Sequence, residues 1–383
     1  MATLKELVDE TTKIKNELVT CHTNLKTNLS NKGISISSSE KLSKLVSKVN
    51  SLQNIGDVKK GTTVDVLVEN LDLPTPTFNY TQYTFKDASF HETDTELFIF
   101  LTYNTSGSST NIMSTIYKYN KSSKTWTSKD ILKNSTNSST YALCSLFYGD
   151  YLYYSNGSGS IARVSLSTFE QVNALSVRYG YRLDHLVVYN NYLYFTSSKF
   201  DSDTSAGIHR LDLDLTNLKS VTGTGRAYTT GAITINRFTN TIYWACGGYD
   251  GGTSYKLDLD LNVLTKYTSS TIFYCDYTGV CTSSAMLLVK ANKIDLINLS
   301  NDTVTKSYTV PSHSSATAII KISESSSYTG FYHRGHFNHM SISEKGVIKR
   351  LQLGEESLIY ATGENEFYIL DYFKLIKIKR LVI

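Results

Sequence analysis

One short sequence pattern constrains this chain more than any other: a strand-like group of four or five residues, rich in aromatic and aliphatic side chains. It recurs seven times between residue 96 and the C-terminus, at intervals of 36 to 55 residues that average about 45. The copies of this core motif are ELFIF at 96–100, YLYY at 151–154, YLYF at 192–195, TIYW at 241–244, AMLLV at 285–289, GFYH at 330–333 and EFYI at 366–369. This period is typical of β-propellers, in which each repeat forms one four-stranded blade.

A second alternating group follows several copies of the core motif, as in IYKY at 116–119, IARV at 161–164 and IHRL at 208–211. Turns rich in Asn, Asp and Ser separate these groups from a further strand. We therefore predict a mainly β chain with a seven-bladed β-propeller, with six or eight blades as alternatives. The last repeat is one strand short, and Thr77–Phe85 is predicted to supply that strand and close the ring.

The first repeat resembles a known repeat type. Its sequence, LFIFLTYNTSGSSTNIMSTIYKYNKSSKTWT, looks like a kelch-type repeat, and the fourth repeat carries the pair Gly247-Gly248 after its core motif. The other repeats lack that glycine pair. The resemblance implies kelch-like blades.

The N-terminal region has a helical period instead. Its candidate core positions alternate in spacing between three and four residues, which is the a/d seam of a coiled coil. The seam consists of Leu4, Leu7, Thr11, Ile14, Leu18, Cys21 and Leu25. A strict 3.5-residue period is narrower than the stripe of an ordinary surface helix. We therefore predict self-association into a homotrimer or another homo-oligomer, and the alternative is one amphipathic helix packed on its own domain.

A second helix and a neck are predicted after this seam. Asn31 and Gly33 supply a helix stop, and Ser37 with Glu40 forms the capping box of the next helix. The predicted domains are a helical oligomerisation or attachment region at 1–55, a neck or linker at 56–76 and the β-propeller at 77–383. Pro74 and Pro76 mark the boundary.

The order of these two helices resembles a segment at the start of many tail and baseplate appendage proteins of bacteriophages of Gram-positive hosts. The matching residues are Lys32–Ile36 in the turn and Glu40–Val49 in the second helix, and the match covers about 50 of the 383 residues. The resemblance implies a virion component of a phage tail, or of a phage-tail-like bacteriocin, assembled in the bacterial cytoplasm. Its implied partners are other tail or baseplate proteins and a host cell-wall glycan or surface protein.

Composition and charge argue against several other classes of protein. The net charge of +4 comes from 38 basic and 34 acidic residues that are mostly interspersed, so no nucleic-acid partner is expected. The five cysteines are scattered and form no C-x-x-C pair. No stretch reaches the ~18 apolar residues of a membrane span, so no membrane insertion is expected. No cofactor motif is present, and none is predicted.

The sequence HRGHFNH offers a weak metal candidate. Its histidines, His333, His336 and His339, stand three residues apart. On one continuous strand, only His333 and His339 would share a face. We therefore predict no metal site here.

Two D-L-D groups, at 212–214 and 258–260, stand at equivalent places in the third and fourth repeats. Paired carboxylates suit Ca²⁺ binding or acid–base chemistry, but a position just before a turn favours a turn-forming role. No G-x-S-x-G elbow, P-loop or H-E-x-x-H motif is present. We predict that the chain is not an enzyme. The alternative is a glycan-degrading enzyme that uses Asp184, Asp212 or Asp258.

Two loops between predicted second and third strands carry the candidate ligand-binding residues. One contains Phe200, Asp201 and Asp203, and the other contains Tyr249 and Asp250. Aromatic rings stack on sugar faces while polar side chains bond the hydroxyls, so this composition suits a glycan. We predict that the propeller binds a receptor on the host surface. The alternative is a structural baseplate scaffold that docks neighbouring tail proteins.

Overall fold

The structure is a computed structural model, and the part of the chain that it describes has gaps. The described residues are 4–31, 63–74, 84–104, 112–135, 142–156, 159–177, 182–198, 206–223, 229–247, 252–268, 273, 277–281, 284–289, 293–309, 328–333, 336–341, 346–352, 358–361, 366–371 and 373–382. The chain forms two compact units. The first comprises Met1–Val64 with Val382–Ile383, and the second comprises Asp65–Leu381.

The first unit contains helix α1 (Leu4–Asn31). This helix spans the whole heptad seam and ends at the residue where the sequence predicted a stop. Leu25, which lies on the seam, is half-buried, whereas Val19, which lies off the seam, is 57% exposed. The side chains of Leu4, Leu7, Ile14 and Leu18 lie outside the described residues, as does the predicted second helix, so self-association stays a prediction. Among the helical residues described, no segment has the apolar length that a bilayer crossing requires.

All the other regular elements in the described residues are strands, which confirms the mainly β prediction. Seven antiparallel sheets can be traced in the described residues, and we number them in chain order. Sheet 1 contains β2 (Thr84–Glu92), β3 (Glu96–Asn104), β4 (Ile112–Asn120) and β5 (Thr125–Ser135). Sheet 2 contains β6 (Ala142–Tyr148), β7 (Tyr151–Asn156), β8 (Ser160–Ser165) and β9 (Gln171–Ser176). Sheet 3 contains β10 (Arg182–Tyr189), β11 (Tyr192–Ser198), β12 (Gly207–Asp212) and β13 (Lys219–Thr222).

Of the remaining sheets, sheet 5 follows the same order, whereas sheets 4, 6 and 7 depart from it. Sheet 4 contains β14 (Thr229–Thr230), β15 (Thr234–Asn236), β16 (Thr241–Gly247), β17 (Thr253–Asp258) and β18 (Val263–Tyr267), and both β14 and β15 pair with β16. Sheet 5 contains β19 (Tyr277–Cys281), β20 (Ala285–Val289), β21 (Lys293–Asn298) and β22 (Thr303–Thr309). Sheet 6 contains β23 (Tyr328–His333), β24 (His336–Ser341) and β25 (Gly346–Gln352). Sheet 7 contains β26 (Leu358–Ala361), β27 (Glu366–Asp371), β28 (Lys374–Val382) and β1 (Thr63–Asn70).

The three described strands of sheet 6 match the second, third and fourth strands of other sheets. In sheets 2, 4 and 5 the pairing of the third and fourth strands shifts register once, at Arg163/Val164, Lys256/Leu257 and Leu296/Ile297. The pairing of β24 with β25 shifts in the same way at His339/Met340. The core motif GFYH therefore occupies a second strand, as the other six copies do.

Sheet 7 is completed by the strand that begins the β region. In it, β1 pairs with β28, and the pairing continues past β1 where Leu71 and Leu73 donate backbone N–H bonds to the carbonyls of Leu375 and Phe373 at 2.7 and 2.8 Å. The predicted closing strand, Thr77–Phe85, is therefore wrong: Thr84 and Phe85 begin β2, and the rest of that segment lies outside the described residues. Residues 63–70 of the predicted neck therefore belong to sheet 7, and Leu71 and Leu73 continue its backbone hydrogen bonding.

The core lies between neighbouring sheets, which explains the near-continuous hydrophobic core motifs. Residues 97–101 are all buried because β3 is covered on both faces. Leu97 and Ile99 pack in one cluster with Leu370 of sheet 7, whereas Phe98 and Phe100 pack in another with residues of sheet 2. Further clusters join sheets 2 and 3, 3 and 4, and 4 and 5. The first strands also contact one another, as β2 contacts both β6 and β26.

A polar contact recurs where neighbouring sheets meet. Tyr153 of β7 and Arg163, which faces it on β8, both donate to the carbonyl of Leu213 in the turn after β12, at 2.9 Å each. One sheet further on, Tyr194 and Arg210 bond the carbonyl of Leu259 after β17, at 2.9 and 3.2 Å. Both acceptors lie in turns between third and fourth strands. These contacts align sheets 2, 3 and 4 with their turns at the same end.

Candidate functional site

The residues predicted to bind a ligand lie outside the described residues, but the structure describes the strands that carry them. Phe200, Asp201 and Asp203 fall between β11 and β12, and Tyr249 and Asp250 fall between β16 and β17. Each segment therefore connects the second and third strands of its sheet, as predicted. Sheets 3 and 4 are neighbours in the chain and share a buried cluster.

The two segments leave their sheets at the same end. In an antiparallel sheet, second-to-third connections lie opposite the turns that join the first to the second strand and the third to the fourth. The contacts of Tyr194 and Arg210 with Leu259 place the turns of sheets 3 and 4 together. We call the opposite end, which carries residues 199–206 of sheet 3 and 248–252 of sheet 4, the loop end.

The sheet 3 segment is rooted on a buried hydrogen-bonded histidine. His209 is 5% exposed and is hydrogen-bonded through Nε2 to Ser197 and through Nδ1 to Ser220, at 2.7 Å each. Its ring stacks on Phe195 with a centroid separation of 4.9 Å. A Cβ on Gly207 would lie 2.8 Å from Nε2, so glycine leaves room for the ring. The His209 ring thus links β11, β12 and β13 near the ends of the strands that residues 199–206 connect.

The sheet 4 segment is rooted on packed aromatic and sulfur-containing side chains. Trp244 and Tyr255 are stacked with centroids 5.2 Å apart, and Thr253 donates its hydroxyl hydrogen to Tyr255 at 3.0 Å. Gly223, which follows β13 of sheet 3, packs against this base. A Cβ there would lie 2.3 Å from Sγ of Cys246, and the Gly223 N–H donates to the carbonyl of Ala206 at 2.8 Å. The roots of both predicted loops are therefore joined.

An ion pair at the loop end was not found from the sequence. Nε of Arg182 lies 3.0 and 2.8 Å from the two carboxylate oxygens of Asp184 on β10. Asp184 is 8% exposed, whereas the Arg182 side chain is 44% exposed. Arg182 pairs in register with Ser198, the last described residue before the segment that contains Phe200. The guanidinium is thus exposed beside a predicted ligand loop.

A β-bulge follows this ion pair. The register of β10 with β11 shifts between Asp184 and Val187, and His185 within the bulge has a φ of 56°. A positive φ is uncommon for a residue other than glycine. Bulges of this kind occur next to binding sites, where they redirect a side chain. The only signal available in the sequence was the spacing of two between Arg182 and Asp184, which puts opposite charges on one face of a strand.

The D-L-D groups form turns, as predicted. Thr216 donates its hydroxyl hydrogen to Asp214 at 2.5 Å, and this bond lowers the pKa of that carboxyl. Burial works to raise the pKa of Asp258, but the side-chain amide and the backbone N–H of Asn262, at 2.8 Å each, outweigh it and the pKa is lowered. Asp260 accepts a hydrogen bond from Arg210 of the preceding sheet. Both groups therefore stabilise the turn end.

Asp184 of the enzyme alternative lies at the opposite end of the strands from Asp212 and Asp258. Asp184 lies near the start of an innermost strand, at the loop end. Asp212 and Asp258 lie at the end of the third strands of two different sheets, at the turn end. Paired-carboxylate hydrolysis requires two carboxyl groups within roughly 5–10 Å on either side of one bond. Asp184 therefore forms no such pair with Asp212 or Asp258, which lie at the other end of the strands.

The three histidines lie on a hairpin instead of one strand. His333 ends β23 and is paired in register with His336, which begins β24. Directly paired residues share a face, and His339, three positions further on, falls on the other face. The prediction that only His333 and His339 share a face is wrong, because it assumed a continuous strand. Among the residues searched, which are those the structure describes, no group of three His, Cys, Asp or Glu could hold a metal ion.

A small charged cleft of about 140 Å³ lies where sheets 7 and 1 meet. Glu92 is at its centre and accepts hydrogen bonds from Tyr368 at 2.7 Å and from Lys377 at 3.1 Å, and it pairs with Lys121 at 2.9 Å. Burial works to raise the pKa of Glu92, but these three donors outweigh it and the pKa is lowered. Glu69 of β1 also lines the cleft. The Glu92 carboxylate is paired with both lysines, so it holds together the junction between sheets 7 and 1.

Comparison with known proteins gives the fold. No protein-family model and no curated protein matches the sequence. Among solved structures, the chain is similar to the crystal structure of BamB from Moraxella catarrhalis, with a TM-score of 0.51 and 10% sequence identity over 83% of this chain and 100% of that chain. The fold is β-propeller-like. At this identity the similarity concerns the fold alone, and the loop end of sheets 3 and 4 is the candidate site on it.

Proposed function

We propose that the chain is a non-enzymatic, homo-oligomeric component of a phage tail or tail-like bacteriocin, and that its propeller binds a glycan or protein on the host envelope. The single observation that carries the binding role is the arrangement of the loop end of sheets 3 and 4. There two segments rich in aromatic and acidic residues are rooted on strands tied by Gly223, Ala206 and Cys246. Rigid roots reduce the entropy lost when loops bind a ligand.

The finer architecture is part of this proposal. We propose one seven-bladed propeller, because seven sheets are described and a buried cluster joins the seventh to the first. We also propose that α1 forms a coiled coil, because its strict heptad seam lies within one continuous 28-residue helix. Several propellers on one stalk would bind a repetitive surface with high avidity even when each site is weak.

Adhesion of the full-length chain to Gram-positive cell walls tests the proposal. The protein is labelled with a fluorophore and sedimented with intact cells and with purified walls. We expect co-sedimentation that is reduced by the pair of substitutions Phe200→Ala and Tyr249→Ala. A matched control is Phe238→Ala, since Phe238 is an aromatic residue at the turn end and is 58% exposed. A folded chain that binds no wall, or a control that weakens binding equally, would contradict the proposal.

The enzyme alternative is tested on the same walls. We expect no release of reducing sugar, even at high protein concentration and long incubation. If the wild type releases reducing sugar and Asp184→Asn does not, the chain is an enzyme and the non-enzymatic part of the proposal is wrong.

A scaffold role is the second candidate, and exposed apolar residues on outermost strands favour it. Val263 and Leu264 of β18 are 48% and 55% exposed, and Val304 of β22 is 45% exposed. Apolar side chains on a rim of this kind suit contact with a neighbouring protein. Replacing these three residues with Ser would leave wall adhesion intact but weaken incorporation into particles, if the rim docks tail proteins.

A further inference from the structure

The charged cleft between sheets 7 and 1 contains two polar groups that the junction does not use. The Glu92 carboxylate binds two lysines and a tyrosine, which accounts for its place there. Glu69 of β1 and Tyr119 of β4 line the same cleft. Within the described part of the chain, no residue pairs with the Glu69 carboxylate or hydrogen-bonds the Tyr119 hydroxyl. Joining the sheets therefore does not explain these two groups.

Tyr119 is the more informative of the two. Its side chain is 6% exposed, and its ring packs on Trp126 with the centroids 5.0 Å apart. A tyrosine this deeply buried usually has a hydrogen-bond partner for its hydroxyl. Burial raises the pKa of the hydroxyl and the nearby charge of Glu69 raises it further, so at neutral pH the group is a donor. A donor and an acceptor thus line one cleft without bonding each other.

The charge and the size of the cleft limit what could bind in it. It is lined by two carboxylates and two ammonium groups, those of Glu69, Glu92, Lys121 and Lys377. Because these charges balance, an anion would be repelled by the carboxylates and a cation by the lysines. The volume of about 140 Å³ is below the roughly 300–1,000 Å³ of sites for drug-sized ligands. A small neutral ligand with several hydroxyl groups meets both limits.

We propose that this cleft binds a single neutral sugar residue, with Glu69 as the acceptor and Tyr119 as the donor for its hydroxyl groups. A hydroxyl group both donates and accepts, so one sugar can bond the carboxylate and the phenol together. The rings of Tyr119 and Tyr368 are covered, so the sugar is held by hydrogen bonds instead of stacking. The site is separate from the loop end. Only the source of the sugar, a glycan of the host envelope, rests on the proposed function.

Equilibrium dialysis of the full-length chain with three radiolabelled hexoses tests the site. Glucose is neutral, glucuronate is an anion and glucosamine is a cation, and we expect glucose to bind most tightly. Glu69→Gln should weaken glucose binding by about 10-fold, and Tyr119→Phe, which keeps the ring on Trp126, by about 2–10-fold. The matched controls are Glu170→Gln and Tyr148→Phe, which change an exposed carboxylate and an exposed tyrosine elsewhere and should leave binding unchanged.

Either of two results overturns the proposal. One is a wild type that binds no glucose, or that binds a charged hexose more tightly. The other is a folded Glu69→Gln or Tyr119→Phe chain that binds glucose as the wild type does. Thermal unfolding shows which variants are folded, and each folded variant decides independently. Glucose binding without wall adhesion contradicts the proposed function but not the cleft, whereas wall adhesion by a chain that binds no glucose contradicts the cleft alone.

Discussion

Tyr368 donates its phenolic hydrogen bond to Glu92 at 2.7 Å, although 276 residues separate the two in sequence. The contact joins the second strand of sheet 7 to the end of the first strand of sheet 1. Lys377 of β28 and Lys121 in the turn after β4 approach the same carboxylate. Glu92 is therefore the point at which the two ends of the β region are held together by charge.

Glu92 should make stability depend on pH in the acidic range. Its pKa is lowered in the folded chain, so the stabilisation is fully present above the unfolded value of about 4.3 and is lost as the pH falls through the folded pKa. We expect Glu92→Gln to lower the free energy of unfolding by about 1.5–3 kcal/mol at pH 7, and the two proteins to converge in strong acid. Urea unfolding between pH 2.5 and 7 measures this.

The control for that experiment is Glu170→Gln. Glu170 pairs with Lys129 but its side chain is 70% exposed, so the substitution should change stability by at most about 0.5 kcal/mol at every pH. If the free energies of unfolding of wild type and Glu92→Gln differ by the same amount down to the lowest pH, the Glu92 carboxylate does not stabilise the junction between sheets 7 and 1.

Leu73 should be important for the whole β region even though it lies in the predicted neck. It is 4% exposed and packs in the cluster that joins sheets 7 and 1. We expect Leu73→Ala to lower the free energy of unfolding by about 2–5 kcal/mol, from lost burial and the cavity left behind. Asp72→Ala, at the exposed neighbouring position, should change it by less than about 0.5 kcal/mol. Equal effects of the two substitutions would argue against closure by this segment.

Arg210 should contribute more to stability than a surface cation. Its guanidinium lies over the ring of Tyr192, 4.2 Å from the centroid, and bonds the turn of the next sheet. Arg210→Met keeps the apolar stem and removes these polar contacts, and we expect a loss of about 1–2 kcal/mol. Lys129→Met, which breaks an exposed pair, is the control. Thermal unfolding measures both variants. If Lys129→Met lowers the unfolding temperature more than Arg210→Met does, Arg210 does not stabilise the junction between sheets 3 and 4.

Leu18 should be needed for self-association, whereas its neighbour Val19 should not. Leu18 lies on the heptad seam, and Val19 lies off it and is 57% exposed. We expect Leu18→Lys to reduce the mass measured by sedimentation equilibrium to that of one chain, because a charge in the seam must be desolvated. Val19→Lys should leave the oligomer intact. A wild type that sediments as a single chain would refute the coiled coil.

The repeat could be predicted from the sequence because its signal is local. The residues of ELFIF are buried on both faces of one strand, and such strands read as short continuous hydrophobic runs wherever they occur. The interval of about 45 residues between these runs then indicates the length of one four-stranded blade. Turn residues such as Asp258 were also predicted correctly, since they act within a few residues of their own position.

Pairing partners could not be predicted in the same way. The alternation of Val64, Val66 and Val68 in the predicted neck suits a short strand or an extended linker, and it does not specify which distant strand it would join. Pro74 and Pro76 were interpreted as a domain boundary, although β1 and the bonded residues Leu71 and Leu73 before them already pair with sheet 7. The histidines were misplaced for a related reason, because the two-residue spacer before His336 contains Gly335 and is typical of a hairpin.

The candidate site was predicted only in part. The loops with Phe200 and Tyr249 were correctly placed between second and third strands from composition and order. The structure adds Arg182 and His209, whose partners come from register and from a bulge that no local pattern encodes. Long-range packing decides such contacts, so side-chain type alone does not reveal them.

The pairing of β1 with β28 has a consequence for synthesis on the ribosome. Leu71 is made about 300 residues before its partner Leu375, which at roughly 5–20 residues per second is a delay of about 15–60 s. During this time the nascent chain carries a valine-rich strand with no partner. Asp65 and Glu69 interrupt that strand with negative charge, and such residues oppose wrong pairing with other nascent chains. The same two carboxylates that a static view would assign to solubility thus protect the first strand until the last one exists.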